Sequence, residues 1–220
     1  MLLGRDETFL VNDVTTGAQS TSETAALPGG GFVSVWGSDG TTRARIFDGN
    51  GVPTGAAFEV TGASSDFDVT TLGDGTIVIV WRAGSAVDMA QFTSTGTQIG
   101  STTEVVSSAG KSLSQPAITT LANGQFAVSW TERASPADAD GAEIYGRVFN
   151  ASGTPATAPV FFNFNSGGDQ ISSDIAALSG GGFVATWLSG QSVRAAVFDS
   201  AGTPSSTNSP SSPIRDLRPA

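Results

Sequence analysis

The sequence predicts an all-β fold, a four-bladed β-propeller of four-stranded blades, and three observations carry that reading. One phrase occurs four times: Gly-Gly-Gly-Phe-Val-Ser-Val-Trp at 29–36, Gly-Asp-Gly-Thr-Ile-Val-Ile-Val-Trp at 73–81, Asn-Gly-Gln-Phe-Ala-Val-Ser-Trp at 123–130 and Gly-Gly-Gly-Phe-Val-Ala-Thr-Trp at 180–187. Its last residues, Trp36, Trp81, Trp130 and Trp187, are all the tryptophans of the chain. Leu27, Leu72, Leu121 and Leu178 precede the turns at spacings of 45, 49 and 57 residues, a period that signals a repeat architecture. Finally, the strand missing from the last repeat stands at the start of the chain.

Each repeat follows one plan. A strand of small and β-branched residues comes first (24–27, 69–72, 118–121, 175–178), then a glycine turn, where φ > 0 costs little. The second strand, rich in Val and Ile, ends in Trp, as a strand buried on both faces would. The third ends in Phe47, Phe92, Phe149 or Phe198 and leads into Asp-Gly-Asn-Gly, Thr-Ser-Thr-Gly, Asn-Ala-Ser-Gly or Asp-Ser-Ala-Gly, all hairpin-turn chemistry. Fourth strands are expected at 57–61, 103–106 and 161–165. After Gly202 the chain is too rich in proline and serine to hold a ladder. Thr8-Phe9-Leu10-Val11-Asn12 matches the fourth strands of the first and third repeats, so the N-terminal strand is expected to complete the last sheet and close the ring. This gives one domain over 1–204 and a Pro/Ser-rich tail over 205–220. Only Ala and Thr occupy the two positions before each landmark Leu, which suits strands converging on a narrow axis. The Trp and Phe residues then fill the wedge between sheets, each removing about 150–250 Å² from water. The same strands could also build a β-sandwich or prism.

Composition narrows the function. The net charge is −10 and Lys111 is the single lysine, which opposes binding to nucleic acid or an anionic membrane. No apolar run approaches the roughly 20 residues of a membrane helix, and the first residues carry no apolar core of a classical signal peptide. Cysteine is absent, which removes disulfides and thiolate metal sites. Histidine is absent too, which removes Ser-His-Asp and Cys-His nucleophiles and His-ligated zinc. Carboxylates remain, and a pair of them is enough for a glycosidase.

Three groups of residues are candidate sites. Four residues before each landmark Leu stand Glu23, Asp68, Ala117 and Asp174, three acids at one register that would face each other at a channel mouth and suit Ca²⁺. The loop Asp138-Ala-Asp140-Gly141-Ala-Glu143 has alternating carboxylates around a glycine, partial cation-loop chemistry, but without the 12-residue spacing or flanking helices it reads first as a solvated acidic loop. Arg43, Arg45, Arg147 and Arg194 recur on third strands beside Trp or Phe, where a guanidinium could hold a carboxylate or stack on a sugar, or pair with acids between blades.

The residues Phe9 to Asn12 with Gln19, Ala25 to Trp36, Arg45 to Asp48 with Gly51, Phe164-Asn165 with Gln170, Ile175 to Trp187 and Phe198-Asp199 resemble the repeats of large secreted RTX-type (haemolysin-type calcium-binding) proteins of Gram-negative bacteria. The resemblance covers nearly the whole chain. It implies a secreted or cell-surface setting, reached without a classical signal peptide, and a calcium-rich one. The Gly-Gly-x-Gly-x-Asp nonapeptide of the calcium rolls does not occur here. Together these readings predict a non-catalytic binding or adhesive module of an exported bacterial protein, lectin-like toward a glycan or cell-surface ligand, or self-associating. A scaffold domain without a small ligand and a carboxylate-based polysaccharide-active enzyme are the alternatives.

Overall fold

The computed structural model describes residues 8–63, 66–134, 141–164 and 167–205. They form four antiparallel sheets in chain order, each a meander of successive hairpins. Blade 1 holds β1 (Gln19–Ala26), β2 (Phe32–Ser38), β3 (Thr41–Phe47) and β4 (Phe58–Val60). Blade 2 holds β5 (Phe67–Thr71), β6 (Ile77–Ala83), β7 (Ala86–Phe92) and β8 (Gln98–Ser107). Blade 3 holds β9 (Ser112–Thr120), β10 (Phe126–Arg133), β11 (Ala142–Phe149) and β12 (Val160–Phe161). Among the described residues blade 4 has three strands, β13 (Gln170–Ala177), β14 (Phe183–Ser189) and β15 (Ser192–Phe198), and the Ser205 N–H donates to the Val197 carbonyl of β15 at 2.8 Å. The repeat plan is therefore observed for the first three strands of every repeat and for the fourth strands of the first three, with the first strand of each repeat innermost. The inner strands pack in series, β1 on β5, β5 on β9 and β9 on β13.

The register explains the phrase. In every blade the aromatic or Ile that opens the second strand lies opposite the Phe that closes the third: Phe32 on Phe47, Ile77 on Phe92, Phe126 on Phe149, Phe183 on Phe198. Four residues on, each Trp comes back to the same face of its sheet, because side chains alternate with period two. That back face meets the front face of the preceding blade. Ile77, Ile79, Trp81 and Phe92 of blade 2 cover Val33, Val35, Ala44 and Ile46 of blade 1. Trp130 and its neighbours cover Val78, Val80, Val87 and Met89. Trp187, Phe183 and Phe198 cover Ala127, Ile144 and Val148. Trp81, Trp130 and Trp187 are wedges between blades, as expected from the sequence, whereas Trp36 lies on the back of blade 1 beside Val11 and Gln19; Trp187 also donates from Nε1 to Gln170 Oε1 at 3.0 Å.

The N-terminal segment departs from expectation. Among the described residues Thr8–Asn12 form no strand and pair with no edge, so β15 ends the last sheet and the expected hydrogen-bonded closure is not made. The segment instead lies on the back of blade 1, with Phe9 centred 5.6 Å from Phe47 and 6.4 Å from Phe32. No inter-blade packing of the kind seen in series joins β13 to β1 among the described residues.

Gly146 shows how tightly the wedges fit. A Cβ there would lie 2.0 Å from the ring of Phe162, which is itself buried against Phe183 and Phe198. Gly146→Ala is expected to cost about 1–3 kcal/mol by overpacking. Trp130→Ala, at a fully buried site, is expected to cost about 3–5 kcal/mol. Denaturant unfolding of the two variants measures both, and a wild-type midpoint for Trp130→Ala would refute the wedge assignment.

Candidate carboxylate site at the mouth of the inner strands

The inner strands are not straight ladders. Thr21, Gln115 and Ser172, two residues before Glu23, Ala117 and Asp174, all have positive φ (39°, 54° and 57°). The pairing register slips at each of these places. Such bulges bend a strand and re-aim the side chains that follow. In blade 2 the equivalent position is Asp66, just before β5.

These bulges are tied from blade to blade through backbone N–H groups that the slipped ladder leaves unpaired. The Gln115 N–H donates to Asp66 Oδ2 at 3.0 Å, and the Ser172 N–H donates to Gln115 Oε1 at 2.9 Å. Gln115 Nε2 in turn donates to Ser172 Oγ at 2.9 Å. Sequence reasoning missed Asp66, Gln115 and Ser172. Their signal is weak, because the shared requirement is for a side-chain acceptor and not for one residue type.

Two residues further in comes the acidic register. Asp68 is half-buried, with Oδ1 accepting from the Val69 N–H at 2.7 Å and Oδ2 from the Ile118 N–H of the next blade at 2.8 Å. Asp174 repeats the first contact, accepting from the Ile175 N–H at 2.8 Å. Glu23 and Asp174 are exposed, and Ala117 adds no charge. Burial pushes the Asp68 carboxyl up to about 6. The two N–H donors pull against that, while the negative charges of Glu23 and Asp174 push with it. Glu23 and Asp174, from two other blades, thus both act on Asp68. They do not form a ligand cage: among the described residues no group of three or more such side chains is close enough to hold a metal ion. The mouth thus sets one carboxyl raised by burial beside two exposed acidic side chains.

The other candidates fare differently. Asp138 and Asp140 lie outside the described residues; Glu143 is held by Asn163, whose Oδ1 accepts from the Ile144 N–H at 2.6 Å. Arg45 and Arg147 are clamps within the scaffold. Arg147 donates to the carbonyls of Thr157 (2.8 Å) and Val105 (2.9 Å), and Arg45 to those of Gly55 (3.2 Å) and Val11 (3.3 Å). Each also lies over its own strand's Phe, at 5.6 Å for Arg147 and 5.8 Å for Arg45. Arg43 pairs with Asp13 at 3.6 Å, and Arg194 is exposed on β15. Lys111, from the start of blade 3, forms an ion pair with the largely buried Glu132 beside Tyr145. At the opposite, turn-bearing end of blades 1 and 2 a cleft of about 440 Å³ is lined by Gly29, Gly30, Asp48 and Asp74. Both aspartates are held low by N–H groups of their own turns.

No protein-family model and no curated protein matches the chain. Solved structures do. A protein of unknown function from Dyadobacter fermentans aligns at a TM-score of 0.65 with 11% identity, over 88% of this chain and 64% of its own. The α-L-arabinofuranosidase Arb93A from Fusarium graminearum aligns at 0.54 with 10% identity, over 81% of this chain and 61% of its own. The Dos1 propeller aligns at 0.53 with 14% identity, over 91% and 50%. The chain thus spans less than two thirds of the length of these neighbours. At such identities the likeness establishes the fold, an all-β propeller arrangement. It also corrects two expectations, the reading as a non-catalytic module and the inference that the chain is no enzyme: a glycoside hydrolase is among the proteins that share the fold, so neither expectation stands.

The raised Asp68 has a measurable consequence. Its carboxyl ordinarily titrates at 3.8. The folded protein therefore keeps a proton that the unfolded chain has released between pH 3.8 and about 6, so stability falls as pH rises through that window. Asp68→Asn should flatten this slope, by on the order of 1–2 kcal/mol between pH 4 and 7 after allowance for solvent screening. Urea unfolding at the two pH values checks it; an unchanged slope would place the Asp68 carboxyl at its ordinary value.

Proposed function

We propose that this chain carries the active site of a polysaccharide hydrolase that works with carboxylates alone. The observation that carries the reading is Asp68, a half-buried carboxyl raised to about 6 between two exposed acids at the mouth of the inner strands. Cleaving a glycosidic bond needs one carboxyl that still holds its proton near neutral pH and a second that does not. Asp68 takes the first role and protonates the leaving-group oxygen. Its backbone donors, Val69 and Ile118, fix the carboxyl in place and stabilise the carboxylate left after transfer. Asp174 or Glu23 takes the second role, drawing a proton from the attacking water or attacking the anomeric carbon itself. A separation of about 6.5–9.5 Å selects inversion and about 5–5.5 Å retention.

The substrate class follows from the same fold likeness. Arabinose-containing polysaccharide is the first candidate, because a structural neighbour is an α-L-arabinofuranosidase. The low lysine content and net charge of −10 favour a neutral glycan over a polyanionic one.

The test is hydrolysis of a panel of aryl glycosides and of arabinan, xylan and galactan. Wild-type activity should show a bell-shaped pH profile with its upper limb near 6, where Asp68 loses its proton. Asp68→Asn should lower kcat by about 10²-fold or more while KM stays within a few-fold. Wild-type protein inert across the panel, or an Asp68→Asn variant of full activity, sinks the reading.

A further inference from the structure

We infer that the groove beside Trp36 on blade 1 is a binding site for a neutral oligosaccharide, in which a buried indole N–H and a row of hydroxyls stand where the other blades carry aliphatic side chains. The inference goes beyond the hydrolase reading. Ser22 and Thr24 line the groove, and Glu23 between them alternates to the other face of β1.

The same positions can be followed through every blade. On the face of the sheet that carries the Trp, one cross-strand pair joins the inner strand to the second. It is Val69 opposite Ile79 in blade 2, Ile118 opposite Val128 in blade 3 and Ile175 opposite Ala185 in blade 4. All six are buried and apolar. In blade 1 the pair is Thr24 opposite Ser34, and the two hydroxyls bond each other at 3.1 Å. The residue opposite the Trp changes in the same way: Phe67 stands opposite Trp81, whereas Ser22 stands opposite Trp36. Hydroxyls cost free energy in a dry joint unless each finds a partner there. Blade 1 therefore differs from the others in its own side chains, and the difference makes this face polar.

The result is a groove of about 460 Å³, within the usual range of about 300–1,000 Å³ for a small-molecule site, lined by Val11, Gln19, Ser22, Thr24, Ser34 and Trp36. Trp36 is only 6% exposed, and its Nε1 has no acceptor among the described residues. Blade 4 shows how that donor can be met. There Gln170, opposite Ser189, accepts from Trp187 Nε1. Gln19, opposite Ser38, holds the same position in blade 1. Yet Gln19 is exposed, and its Nε2 donates to the Thr16 carbonyl at 3.3 Å and to Ser38 Oγ at 3.2 Å. The Nε1 atoms of Trp81 and Trp130 also lack an acceptor, but those rings are fully buried in apolar joints. Trp36 is the one of the three that lines a groove. Across the ladder from it, Arg43 pairs with Asp13 at 3.6 Å, and its Nε is a second buried donor without an acceptor.

These groups select an uncharged ligand rich in hydroxyls. An unmet buried N–H calls for an acceptor oxygen, and Ser and Thr hydroxyls both donate and accept. Sugar hydroxyls match both demands. An anion would find the Arg43 charge already matched by Asp13, within a chain of net charge −10. A cation would find no carboxylate among the lining residues. An apolar ligand would strip water from the hydroxyls and replace none of its hydrogen bonds.

Titration of the indole N–H resonances with short arabino-, xylo- and galacto-oligosaccharides tests the site. The Trp36 signal, assigned by its loss in Trp36→Phe, should move with at least one of them, while that of Trp187 stays. Thr24→Val with Ser34→Ala gives blade 1 the aliphatic pair of the other blades; it should keep the circular dichroism spectrum and weaken binding by about tenfold or more in calorimetry. Trp36→Phe, which keeps a ring and loses the N–H, should weaken it by about three- to tenfold. Asp68→Asn should bind as the wild type does, so protein that binds and cleaves nothing sinks the hydrolase reading and leaves this one standing. A Trp36 signal that no neutral oligosaccharide moves at tens of millimolar overturns the inference. So does unchanged binding by the Thr24→Val, Ser34→Ala variant. Loss of binding in Asp68→Asn would put the sugar at the mouth, and tighter binding of oligogalacturonate would make the ligand an anion; either result also overturns it.

Discussion

Everything in this molecule depends on one contact, the aromatic back of each blade against the aliphatic front of the blade before it. A lone four-stranded meander has two apolar faces and cannot bury both. Here the front of blade 1, with Val33, Val35 and Ile46, is closed by Trp81 and Phe92, and the same exchange recurs twice more. The Trp supplies bulk where adjacent sheets diverge, and the Phe pair at the other end of each second strand fills the remainder. The fourth strands add a further wedge at the rim: Phe58 on Phe92 at 5.2 Å and Phe162 on Phe198 at 4.3 Å. The inner strands need only small residues, since they are held by their neighbours on both sides.

That packing brings the acids together. The inner strands lie side by side because the wedges set the blade angle. Thr70 and Thr120 then meet at 3.0 Å across two blades, and Thr120 donates to the Thr71 carbonyl at 2.9 Å. Beyond this threonine belt the bulges turn each strand, and cross-blade acceptors take up the N–H groups that the turn releases. Asp68 belongs to this system of ties, yet it is also a titrating group. One carboxyl both links blades 2 and 3 and holds a proton near neutrality, so its chemistry is bound to the geometry of the joint.

The repeat made much of this legible. Four copies of one pattern average out local ambiguity, so strands, turns, the Trp and Phe wedges and the common register of Glu23, Asp68 and Asp174 could be read from spacing alone. What the spacing missed is what depends on a neighbour. Thr21, Gln115 and Ser172 share no side-chain type; they share a positive-φ backbone turn that only three dimensions reveal. Arg45 and Arg147 read as ligand-binding because guanidinium beside an aromatic looks like recognition, whereas both spend their donors on carbonyls of their own scaffold. The N-terminal segment was read as the closing strand of the last sheet, and among the described residues it makes no such pairing. Its Phe9 and Val11 find the back of blade 1, and its backbone finds no edge. Apolar pattern and strand pairing are separate requirements, and the sequence match spoke only to the first.

Asp68 and Asp174 show how far chemistry is set by that neighbour. Both close strand-start turns by accepting the N–H of the next residue, and both stand at one register of one repeat. Of the two, Asp68 has a blade packed over it and is half-buried, and burial raises its carboxyl. Desolvation by the next blade outweighs two backbone donors, since the pull of those donors leaves Asp68 still at about 6. Between these two acids of one register, the difference in surroundings comes from the blade that packs over Asp68 and not from residue type.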